Sequence, residues 1–241
     1  MIKQVLKIMY PITFGFPRPA YQLAEVKEIM NIIKSNKIKE KNNKLIVEFD
    51  IKEDTYAAVY SAVDKGVPSI VNIIVIGSHC NYYDGKNVIQ KVQSLGYVLM
   101  DYASGNYYGK YLIRAYYFNK MPEYLRDEFS NNYDLSPNSI KNKLYREENP
   151  NTYLAGFARF LIENKSNEYF KEIIFKGLER FIDYQILQYD DFSKVDIHYV
   201  GSIAYYLKDE ITKIGKKYNL KTGKFIQRPI TGLVDYHKRN I

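Results

Sequence analysis

The 241-residue sequence predicts an α/β fold, and three observations support that prediction. Strand-like and helix-like segments alternate along the chain. Residues 70–76 form an almost wholly apolar run, which is typical of a strand inside a sheet that is covered on both faces. Residues 198–200 read as a buried strand that turns through Gly201 and Ser202 into a helix, with a further strand and a closing helix behind it.

Each element is predicted from its apolar period and its bounding turn residues. The first five lie, in chain order, at residues 5–12 (strand), 21–34 (helix), 45–49 (strand), 55–63 (helix) and 70–76 (strand). An Asp84-Gly85 turn then joins residues 81–84 to residues 88–93 as a hairpin.

Residues 104–187 carry a helical period, interrupted at 131–137 and at 147–151. Ser136 followed by Pro137 marks a helix start inside this region, with Ser at the N-cap and Pro at the first helical position.

The composition is that of a globular protein, with 46% apolar residues and a formal net charge of +8. The lysines are spread along the chain, and their densest run, at residues 34–44, reads as a solvated loop. Nucleic-acid binders usually add a recognisable module or a basic face interleaved with aromatics, and the sequence contains neither. We therefore expect no nucleic-acid partner.

Cysteine and histidine usage limits the chemistry further. The single cysteine, Cys80, excludes an intramolecular disulfide and a Cys-based zinc site. The histidines, His79, His198 and His237, have no metal-ligand spacing, so we expect no metal bound by protein side chains alone. We find neither a signal peptide nor an apolar run of membrane-spanning length, and we expect a cytoplasmic protein with no membrane partner.

Candidate chemistry is concentrated at four places. Asp54 precedes a helix after a strand, where it caps the helix or points into a cleft. The apolar strand ends in a polar turn at residues 76–81, where Gly77 would let a phosphate approach. Asp101 stands before a helix start that bears Ser104, and one of the two could simply be the cap. The turn at residues 201–202 presents backbone N–H groups at a helix N-terminus, where an anion or a ligand oxygen is favoured.

Several segments together, in the same order and at the same spacing, resemble the N-acetylglucosamine kinase-like proteins of the BadF-type ATPase family. The resemblance runs from Asp54 to His237, which is about three quarters of the chain. The matching segments after Asp54 are Tyr83-Asp84-Gly85-Lys86, Leu95-Gly96-Tyr97, Asp101, Ser104-Gly105, Leu154-Ala155-Gly156-Phe157, Gly201-Ser202-Ile203-Ala204 and the run from Pro229 to His237.

The resemblance implies the ribonuclease H-like fold of the sugar kinase, actin and Hsp70 superfamily. A remnant of the N-terminal domain would occupy residues 1–68. An intact C-terminal domain would occupy residues 69–241, with a helical insertion at about 104–190.

The resemblance also implies roles for individual residues. Asp54 would be the general base for a sugar hydroxyl, and Asp101, with His79 as a second candidate, would bind the sugar. The nucleotide would be bound by two turns, at Gly77-Ser78 and at Gly201-Ser202. ATP and Mg are the implied cofactors, and an amino sugar is the implied ligand.

Three departures from the family pattern predict impaired catalysis. The family begins with a strand carrying Asp-x-Gly-x-Thr-Lys-Thr, and no such segment occurs here, which indicates N-terminal truncation. Ile76 stands where the family has a threonine in its second phosphate turn. Around Asp101 the family's Gly, Glu and Gly are replaced by Met100, Tyr102 and Ala103. Phosphoryl transfer depends on positioning and charge stabilisation, so losing several cradles together should abolish most of the rate.

Three hypotheses for function follow. The chain is a catalytically impaired binding or regulatory subunit, or an active amino-sugar kinase completed by another chain or by upstream sequence, or a structural partner of a full-length paralogue.

We predict that the protein is a stable dimer or is soluble only with a partner. A chain that starts at the strand of residues 5–12 should leave that strand with an unpaired edge, and open edges recruit other strands. Light scattering tests this prediction. A well-behaved monomer at high concentration, with slow amide exchange at residues 5–10, would contradict it.

Overall fold

The computed structural model describes residues 54–239, except for the side chains of Asp54, Thr231, Val234 and residues 237–239. The predicted elements at residues 5–12, 21–34 and 45–49, and with them the expected open edge, lie outside the described residues. The boundary between domains at residues 68 and 69 stays a prediction.

One mixed sheet organises the described part of the chain. Its strands are β1 (Ser69–Ile74), β2 (Ser78–Tyr83), β3 (Val88–Ile89), β4 (Asp196–Val200) and β5 (Thr222–Ile226). They lie in the order β3-β2-β1-β4-β5, with β2 antiparallel to both of its neighbours and with β1, β4 and β5 parallel to one another. The predicted α/β class is therefore confirmed.

Helices cover both faces of this sheet. They are α1 (Asp54–Ala62), α2 (Gly105–Tyr117), α3 (Glu123–Asn132), α4 (Pro137–Tyr145), α5 (Pro150–Gly156), α6 (Ala158–Glu163), α7 (Glu168–Tyr184), α8 (Ser202–Tyr206), α9 (Lys208–Lys217) and α10 (Pro229–Arg239). No helix within residues 54–239 is both long and apolar enough to cross a membrane.

The central strand β1 explains why two cores form. All six of its residues are buried, as its apolar sequence predicted. Because side chains alternate along a strand, Val71 and Ile73 join the core beneath α1 and α10, and Ile70 and Ile74 join the larger core beneath the helical segment. The chain thus buries one strand from both sides.

The predicted helical region breaks at the two places that the sequence indicated, and it also breaks at residues 118–122 and 164–167, which the sequence analysis did not predict. Helix α3 ends at Asn132 and α4 begins at Pro137, and α4 ends at Tyr145 and α5 begins at Pro150. Ser136 occupies the N-cap of α4, although its side chain makes no capping hydrogen bond. The Asp134 carboxylate instead accepts a hydrogen bond from the Ser136 backbone N–H at 3.0 Å.

The predicted polar turn at residues 76–81 is shorter in the structure. Residues 75–77 alone make the connection between β1 and β2, and the residues from Ser78 to Asn81 belong to β2. Strand β2 pairs with β1 along its whole length, from Ile74 opposite Ser78 to Ser69 opposite Tyr83. The hydrogen-bonding demand of a buried central strand outweighs the turn propensity of these residues. The predicted hairpin at Asp84-Gly85 is confirmed, with β2 antiparallel to β3.

Helices α2 and α5 approach closely at Gly109. A Cβ built on Gly109 would overlap the backbone carbonyl oxygen of Leu154, so only glycine permits this packing. Gly105, one turn earlier, meets the same helix: its Cβ would lie 3.0 Å from the Cβ of Ala155.

We predict that Gly109→Ala lowers the free energy of unfolding by about 3 kcal/mol, because a methyl group overlapping backbone forces the helices apart. Denaturant unfolding measures the change. Gly156→Ala is the matched control, since no atom lies within 4 Å of its Cβ position and it too is helical. Equal stability of the two variants would contradict the prediction.

Candidate functional site

Two strand-ending turns meet at one edge of the sheet. Strands β1 and β4 are parallel and in register from Ser69 opposite Asp196 to Ile73 opposite Val200, so their carboxyl ends lie together. Gly201 follows β4 with φ 118°, and a Cβ there would lie 2.5 Å from the Ile74 carbonyl oxygen. Glycine is therefore required, both by the backbone angle and by this close approach. The turn at Gly201 therefore lies beside the turn at Gly77. The two turns that were predicted to bind the nucleotide are neighbours.

The N-terminus of α2 is docked on the turn between β1 and β2. The Gly105 backbone N–H donates to the Val75 carbonyl at 2.7 Å, and the Asn106 N–H donates to the Ile76 carbonyl at 3.0 Å. Within the turn, the Val75 N–H donates to the Gly77 carbonyl at 2.9 Å. In other helices the first N–H groups have no partner within the helix and can bind an anion. In α2 the first two N–H groups instead donate to carbonyl groups of the protein.

Asp101 lies against this turn. Its backbone adopts a left-handed conformation with φ 66°, which Asp and Asn tolerate better than most residues. Its side chain is buried, and Oδ2 accepts a hydrogen bond from Asn106 Nδ2 at 3.0 Å. The backbone N–H of Ser78 also donates to the carboxylate. A Cβ on Gly77 would lie 2.8 Å from Oδ2, so the absence of a side chain at Gly77 makes room for Asp101.

The electrostatics of Asp101 follow from this environment. Burial raises the pKa of Asp101, and the hydrogen bonds from Asn106 and Ser78 and the charge of Lys110 oppose that rise. Burial lowers the pKa of Lys110, while the charge of Asp101 raises it. Lys110 Nζ also donates to the Tyr97 carbonyl. The two groups are therefore a partly buried acid and base that act on each other.

Ser104 is the N-cap of α2. Of the two residues that were candidates for the cap, Asp101 and Ser104, it is therefore Ser104 that caps the helix. Its hydroxyl accepts from the Tyr107 N–H at 3.3 Å and lies 2.6 Å from the Asp101 carbonyl oxygen, to which it donates. The Ser78 hydroxyl similarly donates to the Tyr102 carbonyl at 2.6 Å. Both serines fix the loop that carries Asp101.

The remaining candidates lie elsewhere. The side chain of Asp54 is outside the described residues, although α1 begins at Asp54, so a cleft shared by Asp54 and Asp101 stays a prediction. His79 follows Ser78 in β2, and strand alternation directs it to the opposite face of the sheet from the Ser78 hydroxyl. Ser202 begins α8, directly after Gly201.

Sequence reasoning missed Asn106. Its side chain is fully buried and contacts both Asp101 and Ser104, yet in the sequence it is one polar residue in a helical run. Its position two residues after a predicted N-cap was the available signal.

The surroundings of His198 indicate a structural role for this side chain. It is buried, and its Nδ1 accepts from the Lys224 backbone N–H at 3.0 Å. Burial and the charge of Lys224 lower its pKa, so it is neutral in the folded protein. Among the described residues, no group of three or more His, Cys, Asp or Glu side chains could hold a metal ion.

The residues of the turn at 75–78 do not fit a phosphate group. The α2 N–H donors are occupied by the turn's own carbonyls, and the Asp101 carboxylate lies where it would repel an anion. The Gly201 turn is also closely packed, because its N–H donates to the Ile226 carbonyl at 2.8 Å and a Cβ there would meet the Ile74 carbonyl oxygen.

The solved structures that are similar to this chain include two proteins with the same provisional name. A protein from Porphyromonas gingivalis with the provisional name N-acetylglucosamine kinase is 26% identical, with a TM-score of 0.73 over 93% of this chain and 74% of its own. A protein from Chromobacterium violaceum with the same provisional name is 13% identical, with a TM-score of 0.54 over 88% and 71%, and shows likeness of fold alone. Neither a family model nor a curated protein sequence matches. The predicted resemblance to N-acetylglucosamine kinase-like proteins is confirmed.

We predict that stability falls as the pH is lowered below about 6.5, and that His79 accounts for much of the fall. Burial lowers the pKa of His79 to about 4, so the folded protein binds fewer protons than the unfolded chain between these two values. Stability conferred by the neutral imidazole is therefore lost on acidification, by about 3 kcal/mol. Urea unfolding from pH 7 to pH 4 should show a shallower pH dependence for His79→Gln than for the natural protein. Identical slopes would contradict it.

Proposed function

We propose that this chain is a kinase-fold protein that binds an amino sugar through Asp101 and does not itself transfer phosphate. The likeness to N-acetylglucosamine kinase-like structures supports the ligand class. The first two N–H groups of α2 already have acceptors within the protein, and this observation carries the proposal that the chain does not transfer phosphate.

The turn between β1 and β2 supports loss of phosphoryl transfer. A phosphate needs backbone N–H groups that point toward it and have no other partner. At this turn the Gly105 and Asn106 N–H groups already have short, internal acceptors in Val75 and Ile76. A phosphate would have to break both bonds and approach a carboxylate, so its binding is disfavoured twice.

The strand order supports the finer fold assignment. Three antiparallel strands followed by two parallel ones, in the order β3-β2-β1-β4-β5, are what a ribonuclease H-like domain requires. We propose that the described sheet is that domain and that the helices from α2 to α7 are its insertion.

Asp101 is suited to hold sugar hydroxyls. A carboxylate accepts hydrogen bonds from hydroxyl groups, and charge-assisted bonds of this kind are roughly twice as strong as neutral ones. Asn106 and Ser78 stabilise the charged form against burial, which keeps an acceptor available at the sheet edge. We propose that Asp54 completes the sugar site as its second carboxylate.

An active kinase is the second candidate. It is supported by the turn at Gly201, which the resemblance assigns to the adenosine and which lies beside the turn after β1. This candidate requires another chain or further sequence to supply the phosphate donors, with Mg as the metal.

We predict that N-acetylglucosamine or glucosamine binds weakly and that Asp101→Asn weakens binding at least about tenfold, the usual effect of losing a hydrogen bond to a charged group. Asparagine keeps the left-handed backbone at this position, so the fold should persist. NMR titration measures the affinity. Asp127→Asn, an equal charge change on exposed α3, is the control. If no hexosamine perturbs any signal, the structural-partner hypothesis replaces this proposal.

We predict that Mg-ATP binds more weakly than about 1 mM, which corresponds to about 4 kcal/mol of binding free energy or less. The reason is that the first two N–H groups of α2 already donate to the turn of residues 75–77, and that the Asp101 carboxylate lies against this turn. Calorimetric titration measures this affinity. A micromolar Kd, with phosphorylation of an amino sugar, would favour the active-kinase candidate.

A further inference from the structure

Asn106 makes polar contacts at both ends of a side chain that has no exposed surface. Its Nδ2 donates to Asp101 Oδ2 at 3.0 Å, and its Oδ1 lies 3.1 Å from the Ser104 hydroxyl. The amide nitrogen is a donor only, so the end of the side chain that faces Asp101 suits a carboxylate that accepts.

The backbone of Asn106 is fixed as well. Its N–H donates to the Ile76 carbonyl at 3.0 Å, and it is the second residue of α2. One residue thus joins the turn after β1, the start of α2 and the carboxylate of Asp101. A side chain mounted on such a frame can hold another group to within a fraction of an ångström.

Asp101 depends on this support because its own backbone belongs to an irregular loop. It precedes the N-cap of α2 by three residues, and both Asp101 and Ala103 have positive φ angles. The Ser104 hydroxyl donates to its carbonyl oxygen, and within the described part of the chain Asn106 and the Ser78 N–H donate to its carboxylate. Lys110 is the charged residue that acts on it.

We propose that Asn106 is a positioning residue that fixes the Asp101 carboxylate in its ionised form for ligand binding. The proposal rests on the proposed sugar site for its purpose. The Asn106–Asp101 bond itself can be tested without any sugar.

The consequence of removing Asn106 follows from the chemistry of its bond. The Nδ2–H group stabilises the charged carboxylate only, so without it the proton is held more tightly. Asn106→Ala should therefore lower the acid dissociation constant of Asp101 about tenfold, as expected for loss of a hydrogen bond to a charged group.

The test is a carboxyl ¹³C NMR titration of Asp101 in the full chain. The matched control is Asn167→Ala, which also removes a helix-start asparagine with two hydrogen bonds, to the Tyr169 N–H and to the Tyr124 hydroxyl. We expect the Asp101 midpoint to move upward in Asn106→Ala and to stay unchanged in Asn167→Ala. An unchanged midpoint in Asn106→Ala, or an equal rise in both variants, would overturn the proposal.

Asn106→Asp tests the same bond if the alanine variant fails to fold. It has the same shape but places a second carboxyl about 3 Å from Asp101, so the pair retains a proton. This added carboxyl pair stabilises the fold at acidic pH, and its contribution is lost as the pH rises through the raised folded-state pKa. We expect the variant to become less stable relative to the natural protein as the pH rises from 4 to 7. A stability difference between the two proteins that does not change with pH would overturn the proposal.

Hexosamine titrations at several pH values connect the bond to binding. A sugar that needs the ionised carboxylate loses affinity as the pH falls through the pKa of Asp101. In Asn106→Ala that midpoint should rise in step with the NMR midpoint, whereas in Asn167→Ala it should not move. If the affinity midpoint stays fixed while the carboxyl midpoint moves, the positioning role is overturned. If no variant binds sugar at all, the proposed function fails, and the carboxyl titration still decides whether Asn106 controls Asp101.

Discussion

The docking of α2 onto the turn after β1 is the interaction on which the rest of the site depends. Two backbone hydrogen bonds, from Gly105 and Asn106 to Val75 and Ile76, connect the helical layer to the buried centre of the sheet. They are possible because glycine at residues 105 and 109 lets α2 lie close to both the turn and α5. Asp101 immediately precedes this junction, so its position is set by the same contacts.

These contacts favour one ligand chemistry over another. Backbone donors at a helix start suit an anion only while they are free. Here they stabilise the fold, and a carboxylate occupies the space that Gly77 leaves. In the proposed function, a neutral, hydroxyl-rich ligand meets a charged acceptor, while a phosphate meets a negative charge and finds the first two α2 donors occupied. The same atoms are therefore the basis for proposing a sugar site rather than a phosphate site.

Asn106 favours the ionised form of the Asp101 carboxylate. Burial alone would favour the protonated form of Asp101, and a protonated carboxyl has one oxygen fewer to offer as a strong acceptor. The amide donor, with the Ser78 N–H and the charge of Lys110, opposes that tendency. The proposed binding by Asp101 would thus depend on a neighbour that itself need never contact a ligand.

The sequence by itself determined the alternation of elements, a buried strand within residues 70–76, the breaks near Pro137 and Pro150 and a turn at residues 201–202. These follow from local periodicity, from proline and glycine geometry and from turn chemistry, which act over a few residues. Only the tertiary structure decided that residues 78–81 extend a strand rather than a turn, because pairing with β1 is a long-range interaction. It also decided that His79 lies on the opposite face from the Ser78 hydroxyl, and that Asn106 reaches Asp101. Those outcomes depend on how separate segments meet, and no local pattern encodes the distance between them.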